Sequence, residues 1–179
     1  MAYGIILLPT DASPLTRQSA AIARLADPIM QLGADAPPHV SVVHADVSAE
    51  TAMALWTDLT AQRRLDFALQ FTGLMFAPIA SGDQYVPEGG VYCGLECARS
   101  AALLELHEEA RSWLDAAQAP MLSPSGVRFR PHVTLGVLRT APNGAIPLPD
   151  RLFATDMRFR PALGRLGPYG TFPEMVATV

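Results

Sequence analysis

Two short stretches carry the side chains best suited to chemistry, Pro38-His39-Val40-Ser41-Val42 and Pro131-His132-Val133-Thr134-Leu135, one in each half of the chain. Each sets an imidazole and a hydroxyl two positions apart, and in an extended strand side chains two apart share a face. His39 and Ser41 are thus expected to point one way while Val40, Val42 and His44 point the other. In the second copy His132, Thr134 and Gly136 share a face, opposite Val133, Leu135 and Val137. The apolar face belongs under helices and the polar face on a cleft. Two imidazoles and two hydroxyls around one space suit phosphoryl transfer by general acid-base catalysis without a metal. A neutral imidazole takes the proton of the attacking oxygen, an imidazolium protonates the leaving oxygen, and the hydroxyls bond the nonbridging phosphate oxygens. Histidine suits both tasks because its ordinary pKa of about 6.5 lets a pair share one proton near neutral pH.

The elements that must position these groups occur twice in the same order. "GIILLP" (4–9) reads as a buried strand, and Ser13-Pro14 supplies an N-cap and first-turn proline for a helix carrying Leu15, Ile22, Leu25 and Ile29, ended or kinked by Pro28. "HVSVVHAD" is the next strand, and Ser48 caps a helix with Ala52, Leu55, Trp56 and Leu59 on one face. Strand-like runs at 67–79 and 90–96 flank the turn-rich "SGDQYVPEGG". A second helix-then-strand unit follows: Ala98 to Gln118, with Leu103, Leu106, Ala110, Trp113 and Ala117 inward, then, after a loop, "VRFRPHVTLGVL". A loop "APNGAIPLPD" and strands near 152–166 and 171–178, joined by a "GPYG" turn, complete the chain. Strand, helix, then a strand with Pro-His-Val-Ser/Thr, in both halves, is a degenerate internal duplication with too long a period for a solenoid. Hairpin-like turns between strands favour an α+β fold with mostly antiparallel pairing: two lobes, roughly 1–85 and 86–179, in one domain over 1–179, with helices outside and a central cleft.

Composition narrows the function classes. With half of its 179 residues hydrophobic and 17% charged, the chain reads as a globular protein able to bury a substantial core. The first apolar run is too short for a signal-peptide core and none approaches a membrane span, so a soluble cytoplasmic protein, with no membrane partner, is expected. The net charge of −4 disfavours nonspecific binding of long nucleic acid. All thirteen basic residues are Arg, and seven of them (128, 130, 139, 151, 158, 160 and 165) fall in 125–165 against Asp150 and Asp156, a neighbourhood suited to an anionic substrate.

The paired "PHVSV" and "PHVTL" resemble the H-x-[ST]-x motifs of the two-histidine (2H) phosphoesterase superfamily, which contains the 2′-5′ RNA ligase-like proteins and the cyclic nucleotide phosphodiesterases. The resemblance runs over essentially the whole chain, from "YGIILLP" through "LLELHEEARSWL" to "FPEMVATV". A single H-x-T carries little; two copies, each preceded by proline and followed by aliphatic residues in a repeated context, are fairly specific. The resemblance implies a bilobal fold with the motifs on inner strands facing the cleft, no metal, no cofactor, and action on 2′,3′-cyclic phosphates or 2′-5′ linkages. His39 and His132 would be the acid-base pair, His132 activating water and His39 protonating the leaving oxygen, and Ser41 and Thr134 the phosphate holders. The expected substrate is a small cyclic nucleotide or an RNA end. The same site could instead cleave or join 2′-5′ linkages, or bind nucleotides without turnover. A monomer is expected.

Other polar and aromatic residues have plainer readings. Arg128 and Arg130 share the parity of His132, and Arg130, being nearer and able to bond phosphate in bidentate fashion, is the better substrate-binding candidate unless Pro131 breaks the alternation. His44 lies on the face opposite His39 by strand parity, so a structural or surface role is expected. His107, among acids beside an apolar helix face, reads as a helix-surface residue. Tyr92, Phe76 and Tyr169 could stack on a base, but strand aromatics are mostly core. Cys93 and Cys97 read as reduced structural thiols, too few for a metal site.

Overall fold

The computed structural model describes residues 1–61, 65–146 and 150–179. Positions 147–149 of the expected "APNGAIPLPD" loop lie outside the described residues.

Apolar strands of alternating or continuous pattern pair edge to edge. Among the described residues they form one sheet of nine strands: β1 (Ala2–Pro9), β2 (Pro28–Gln31), β3 (Val40–Asp46), β4 (Phe67–Leu69), β5 (Phe71–Ile79), β6 (Gly90–Cys97), β7 (His132–Leu138), β8 (Met157–Arg165) and β9 (Glu174–Thr178). The order is β4-β8-β1-β3-β7-β6-β5, with β2 also on β7 and β9 also on β8. Every pairing is antiparallel, so the fold is α+β. Each side of the sheet draws strands from both halves of the chain. β8 and β9 join β1, while β2 and β5 join the side that holds β6 and β7, so a cut at residue 85 does not coincide with the division of the sheet.

The helices α1 (Ser13–Ala23), α2 (Ala49–Ala61) and α3 (Ala101–Ala116) contribute to one core over the sheet, and a short α4 spans Asp150–Ala154. The α2 stripe is the expected Ala52, Leu55, Trp56 and Leu59, and Ser48 Oγ accepts from Thr51 N–H at 3.1 Å, satisfying one of the first-turn donors. On α1 the cap comes earlier than expected. Asp11 accepts from Ser13 N–H at 2.9 Å, and Ser13 is already helical. Leu25 and Ile29 leave the helix, and Pro28 opens β2 rather than ending α1.

The buried stripe of α3 is Leu103, Leu106, His107, Ala110 and Leu114, so its phase differs from the expected one. Trp113 is half-buried and donates its indole N–H to Asp58 at 2.8 Å, and Ala117 is the C-cap. The expected continuous strand at 127–138 divides: Gly126–Arg128 is a 3-10 turn and β7 starts only at His132. Pro131 has no N–H for a ladder, and its carbonyl accepts from Cys97 N–H at 2.9 Å just before β7 begins.

Candidate active site

Among the described residues β3 and β7 share one paired position, Val40 with Val133, the residue between histidine and hydroxyl in each motif. Extending that antiparallel register by one residue either way sets Ser41 beside His132 and His39 beside Thr134. Val40 and Val133 belong to the helix-side core, so the four polar residues face the other way and line a cavity of about 280 Å³. The expected convergence of His39, His132, Ser41 and Thr134 is therefore present. Tyr85, Tyr92 and Tyr169 form an aromatic wall of the same cavity, and Arg128 and Arg130 lie at its rim.

Both imidazoles are held alike. His39 Nδ1 donates to the Pro37 carbonyl at 2.9 Å, and His132 Nδ1 donates to the Arg130 carbonyl at 2.7 Å, in each case two residues earlier. A carbonyl can only accept, so the proton of each neutral ring sits on Nδ1 and leaves Nε2 bare as a base. The Phe172 edge meets the His39 ring at 4.9 Å and 84°. Phe172 fits there because Gly4 and Gly164 leave room: a Cβ on either would lie 2.6 Å or 2.7 Å from its ring.

Burial pushes the His39 pKa down to about 4, and the nearby His132 adds to the drop, while the Pro37 and Gly170 carbonyls oppose it. Burial also lowers His132, with the Arg130 charge in the same direction and the Arg130 carbonyl and Glu96 opposing. An anionic phosphate between the rings would counter both shifts.

Strand parity misplaces His44, and the reason is a bulge. Ile5 pairs with Val43 and Ile6 with Ser41, so Val42 is an extra residue on β3 and the alternation slips by one. His44 consequently joins Ser41 on the cleft face, buried, with Nε2 2.9 Å from Ser41 Oγ and Nδ1 2.9 Å from Tyr85 Oη. The second motif repeats the slip. Cys93 pairs with Gly136 and Gly94 with Thr134, leaving Leu135 extra and turning Val137 toward Tyr85, Tyr92 and Tyr169.

Each bulge is held from the helix layer. His107 on α3 donates from Nδ1 to the Val42 carbonyl at 2.8 Å, and Ser19 on α1 donates to the Leu135 carbonyl at 2.5 Å. His107 is thus not a surface residue. It is fully buried and stacks on Phe129 at 3.8 Å and 5°, so it touches the first motif's bulge and the segment leading into the second motif. Its Nε2 has no hydrogen-bond partner among the described residues.

The basic segment is less concentrated than its sequence suggests. Arg139 pairs with Asp27, Arg158 with Asp66 and Arg165 with Glu174, all at exposed positions. Arg130 pairs with Glu96. Arg128 has no ion pair or side-chain hydrogen bond among the described residues, which makes it the freer of the two rim guanidiniums. Tyr92 and Tyr169 line the cleft whereas Phe76 packs on the main core.

Tyr85 escaped the sequence reading because it sits in a stretch dense in turn residues. An Asx turn, with Asp83 accepting from Tyr85 N–H at 2.8 Å and Val86 N–H at 3.1 Å, presents it to the cleft. Tyr169, at φ 60°, is held left-handed beside it by N–H donation to the Tyr85 carbonyl at 3.1 Å and by its own hydroxyl on Glu88 at 3.2 Å. Cys93 and Cys97 are free and buried, with burial pushing both thiols up to about 12. Among the described residues no group of three or more His, Cys, Asp or Glu side chains is placed to hold a metal ion, and no helix is long and apolar enough to cross a membrane.

The fold is similar to that of E. coli LigT, at a TM-score of 0.62 and 18% identity, covering 100% of this chain and 98% of that one. A structure described as a phosphoesterase is similar at a TM-score of 0.58 and 17% identity, with 100% and 98% covered. Usb1 of Kluyveromyces marxianus is similar at 0.52 and 12%, with 99% and 96% covered. Among curated proteins none matches the chain. The profile of the 2′-5′ RNA ligase superfamily matches residues 14–161 and so spans both motifs. By that match and by the duplicated histidine strands it encloses, the chain belongs to the 2′-5′ RNA ligase superfamily of two-histidine phosphoesterases.

Proposed function

We propose that the protein is a phosphodiesterase that opens a 2′,3′-cyclic phosphate, on a nucleotide or an RNA end, to a phosphomonoester, with its two histidines as acid and base and no metal. One observation carries this reading: His39 and His132 are each tied at Nδ1 to a carbonyl two residues earlier and line one cavity with a hydroxyl from each motif. An E. coli LigT structure of the same fold holds 3′-AMP, a ribose 3′-phosphate of the kind such a ring opening releases.

Water attacks phosphorus, and His132 Nε2 takes its proton. The bond from phosphorus to one ribose oxygen breaks, and a proton from His39 Nε2 goes to that oxygen. His132 is half-buried, where solvent water reaches it, which supports its part as the base toward water. Ser41 and Thr134 bond the nonbridging oxygens, and Arg128 at the rim balances their charge. Arg130 is ranked second because Glu96 already holds it.

Hydrolysis of a 2′,3′-cyclic nucleotide in excess EDTA tests the proposal. Activity should persist in EDTA and fall in both His39→Ala and His132→Ala. Activity lost in EDTA and restored by a divalent metal would overturn the metal-free chemistry, and full activity in both variants would remove the site.

A further inference from the structure

The two motifs differ where their shared geometry would make them alike. The bulge after each hydroxyl swings residue 44 in one strand and residue 137 in the other toward the cleft side, and one is histidine while the other is valine. Ser41 therefore has an imidazole nitrogen 2.9 Å from its oxygen, whereas the Thr134 hydroxyl has no hydrogen bond to protein among the described residues.

The chain Tyr85, His44, Ser41 has two self-consistent proton orders. In one, Ser41 donates to His44 Nε2 and Nδ1–H donates to Tyr85 Oη. Ser41 then has no proton for a ligand, and the phenol proton has no acceptor on the protein among the described residues. In the other, the Tyr85 hydroxyl donates to Nδ1, and Nε2–H donates to Ser41 Oγ. The serine proton is then free to reach an anionic oxygen in the cleft, and every donor in the chain has an acceptor once that anion is bound.

We propose that His44, oriented by Tyr85, is a positioning residue that holds Ser41 as a hydrogen-bond donor to a nonbridging oxygen of the substrate phosphate. This rests on the phosphodiester reading of the site. The Tyr85 and His44 rings meet edge to face at 5.7 Å and 87°, and Phe172 meets the imidazole at 5.3 Å and 65°, so two aromatic rings pack against it. Burial, with smaller effects from His39 and His132, holds the His44 pKa near 3, so one ring nitrogen accepts while the other donates. Burial and then the Asp83 charge raise the Tyr85 pKa, keeping its hydroxyl a donor. Ser41 is thus a preset donor and Thr134 a free rotor, two hydroxyls of one motif type with different duties.

Two measurements on the full chain test this. The first is the ¹⁵N spectrum of the histidine rings at neutral pH, with and without inorganic phosphate. His44 should be the Nε2–H tautomer in the phosphate-bound protein, and Tyr85→Phe should erode that preference. An Nδ1–H tautomer, or one indifferent to Tyr85→Phe, overturns the proposal. The second is a double-mutant cycle in 2′,3′-cyclic nucleotide hydrolysis. His44→Phe should lower kcat/KM about tenfold in the native background, the scale of one hydrogen bond, and add nothing in a Ser41→Ala background. An equal loss in both backgrounds would mean that His44 acts only as structure. Were His44→Phe not to fold, Tyr85→Phe takes its place in the cycle with the same expectation. Inactivity of the native protein would remove the phosphodiester reading, while the tautomer measurement would still decide the proton order.

Discussion

At the scale of single residues, His39 and His132 are matched at Nδ1 yet unequal in exposure, and the proposed acid-base chemistry needs one protonated and one neutral. Replacing either by alanine should lower kcat by about 10²- to 10⁴-fold, and the double variant should lose little more, because the two act as one unit. Both pKa values lie below the ordinary 6.5, with His39 near 4. Above that range the protonated partner disappears, and below it the neutral one does. The bell of kcat/KM, which reports free protein, should therefore peak on the acid side of pH 6.5, and the bell of kcat should sit higher because bound phosphate stabilises the imidazolium. A kcat/KM maximum well above neutral pH would show that burial does not dominate these rings. At the rim, Arg128→Gln should raise KM about tenfold, in line with loss of one charge-assisted hydrogen bond, and Arg130→Gln should change it much less because that guanidinium already serves Glu96. Steady-state kinetics on the two variants would expose the opposite ranking.

At the scale of elements, the bulges decide what the motif strands present. Each frees a carbonyl from the ladder, and each carbonyl is taken by a polar side chain of a packed helix, His107 for Val42 and Ser19 for Leu135. Leaving a buried carbonyl unpaired costs about 1–3 kcal/mol. His107→Leu should therefore lower Tm by about 5–10 °C, with the stack on Phe129 also lost, and Ser19→Ala should act in the same direction. Ser19 also accepts from Leu32 N–H at 3.1 Å, so its removal strands a second buried group. Thermal melts of the two variants would refute the idea of helix-held bulges if neither Tm moved.

At the scale of the whole molecule, three imidazoles share one cavity, two of them buried, and that couples the site to stability. An unfolded chain protonates its histidines near pH 6.5, whereas the folded chain resists until about pH 4 for His39 and about 3 for His44, with His132 lowered as well. Between these limits the unfolded state binds more protons, so folding stability is complete above pH 6.5 and is lost as pH falls toward 4. The slope is roughly 1.4 kcal/mol per pH unit for each such histidine. Urea unfolding at pH 7.5 and pH 5 should show that loss, and inorganic phosphate should offset part of it by favouring the charged rings. Stability that rose on acidification would contradict the buried, neutral state of the cluster.

The duplicated Pro-His-Val-Ser/Thr was legible in the chain itself, and with it the antiparallel α+β class and the meeting of His39, Ser41, His132 and Thr134, because local alternation and a repeated order of elements need no long-range information. The α2 stripe and its Ser48 cap were legible for the same reason. What lay beyond the sequence was whatever depended on a partner strand or helix. An extra residue at Val42 or Leu135 exists only relative to the strand opposite, so parity alone sends His44 the wrong way. His107 looks like a surface residue until the Val42 carbonyl and the Phe129 ring are placed against it, and Arg130 looks free until Glu96 arrives from β6. Alternation is a property of one strand, whereas a bulge, a buried polar contact and an ion pair each belong to two segments, and only folding brings those together.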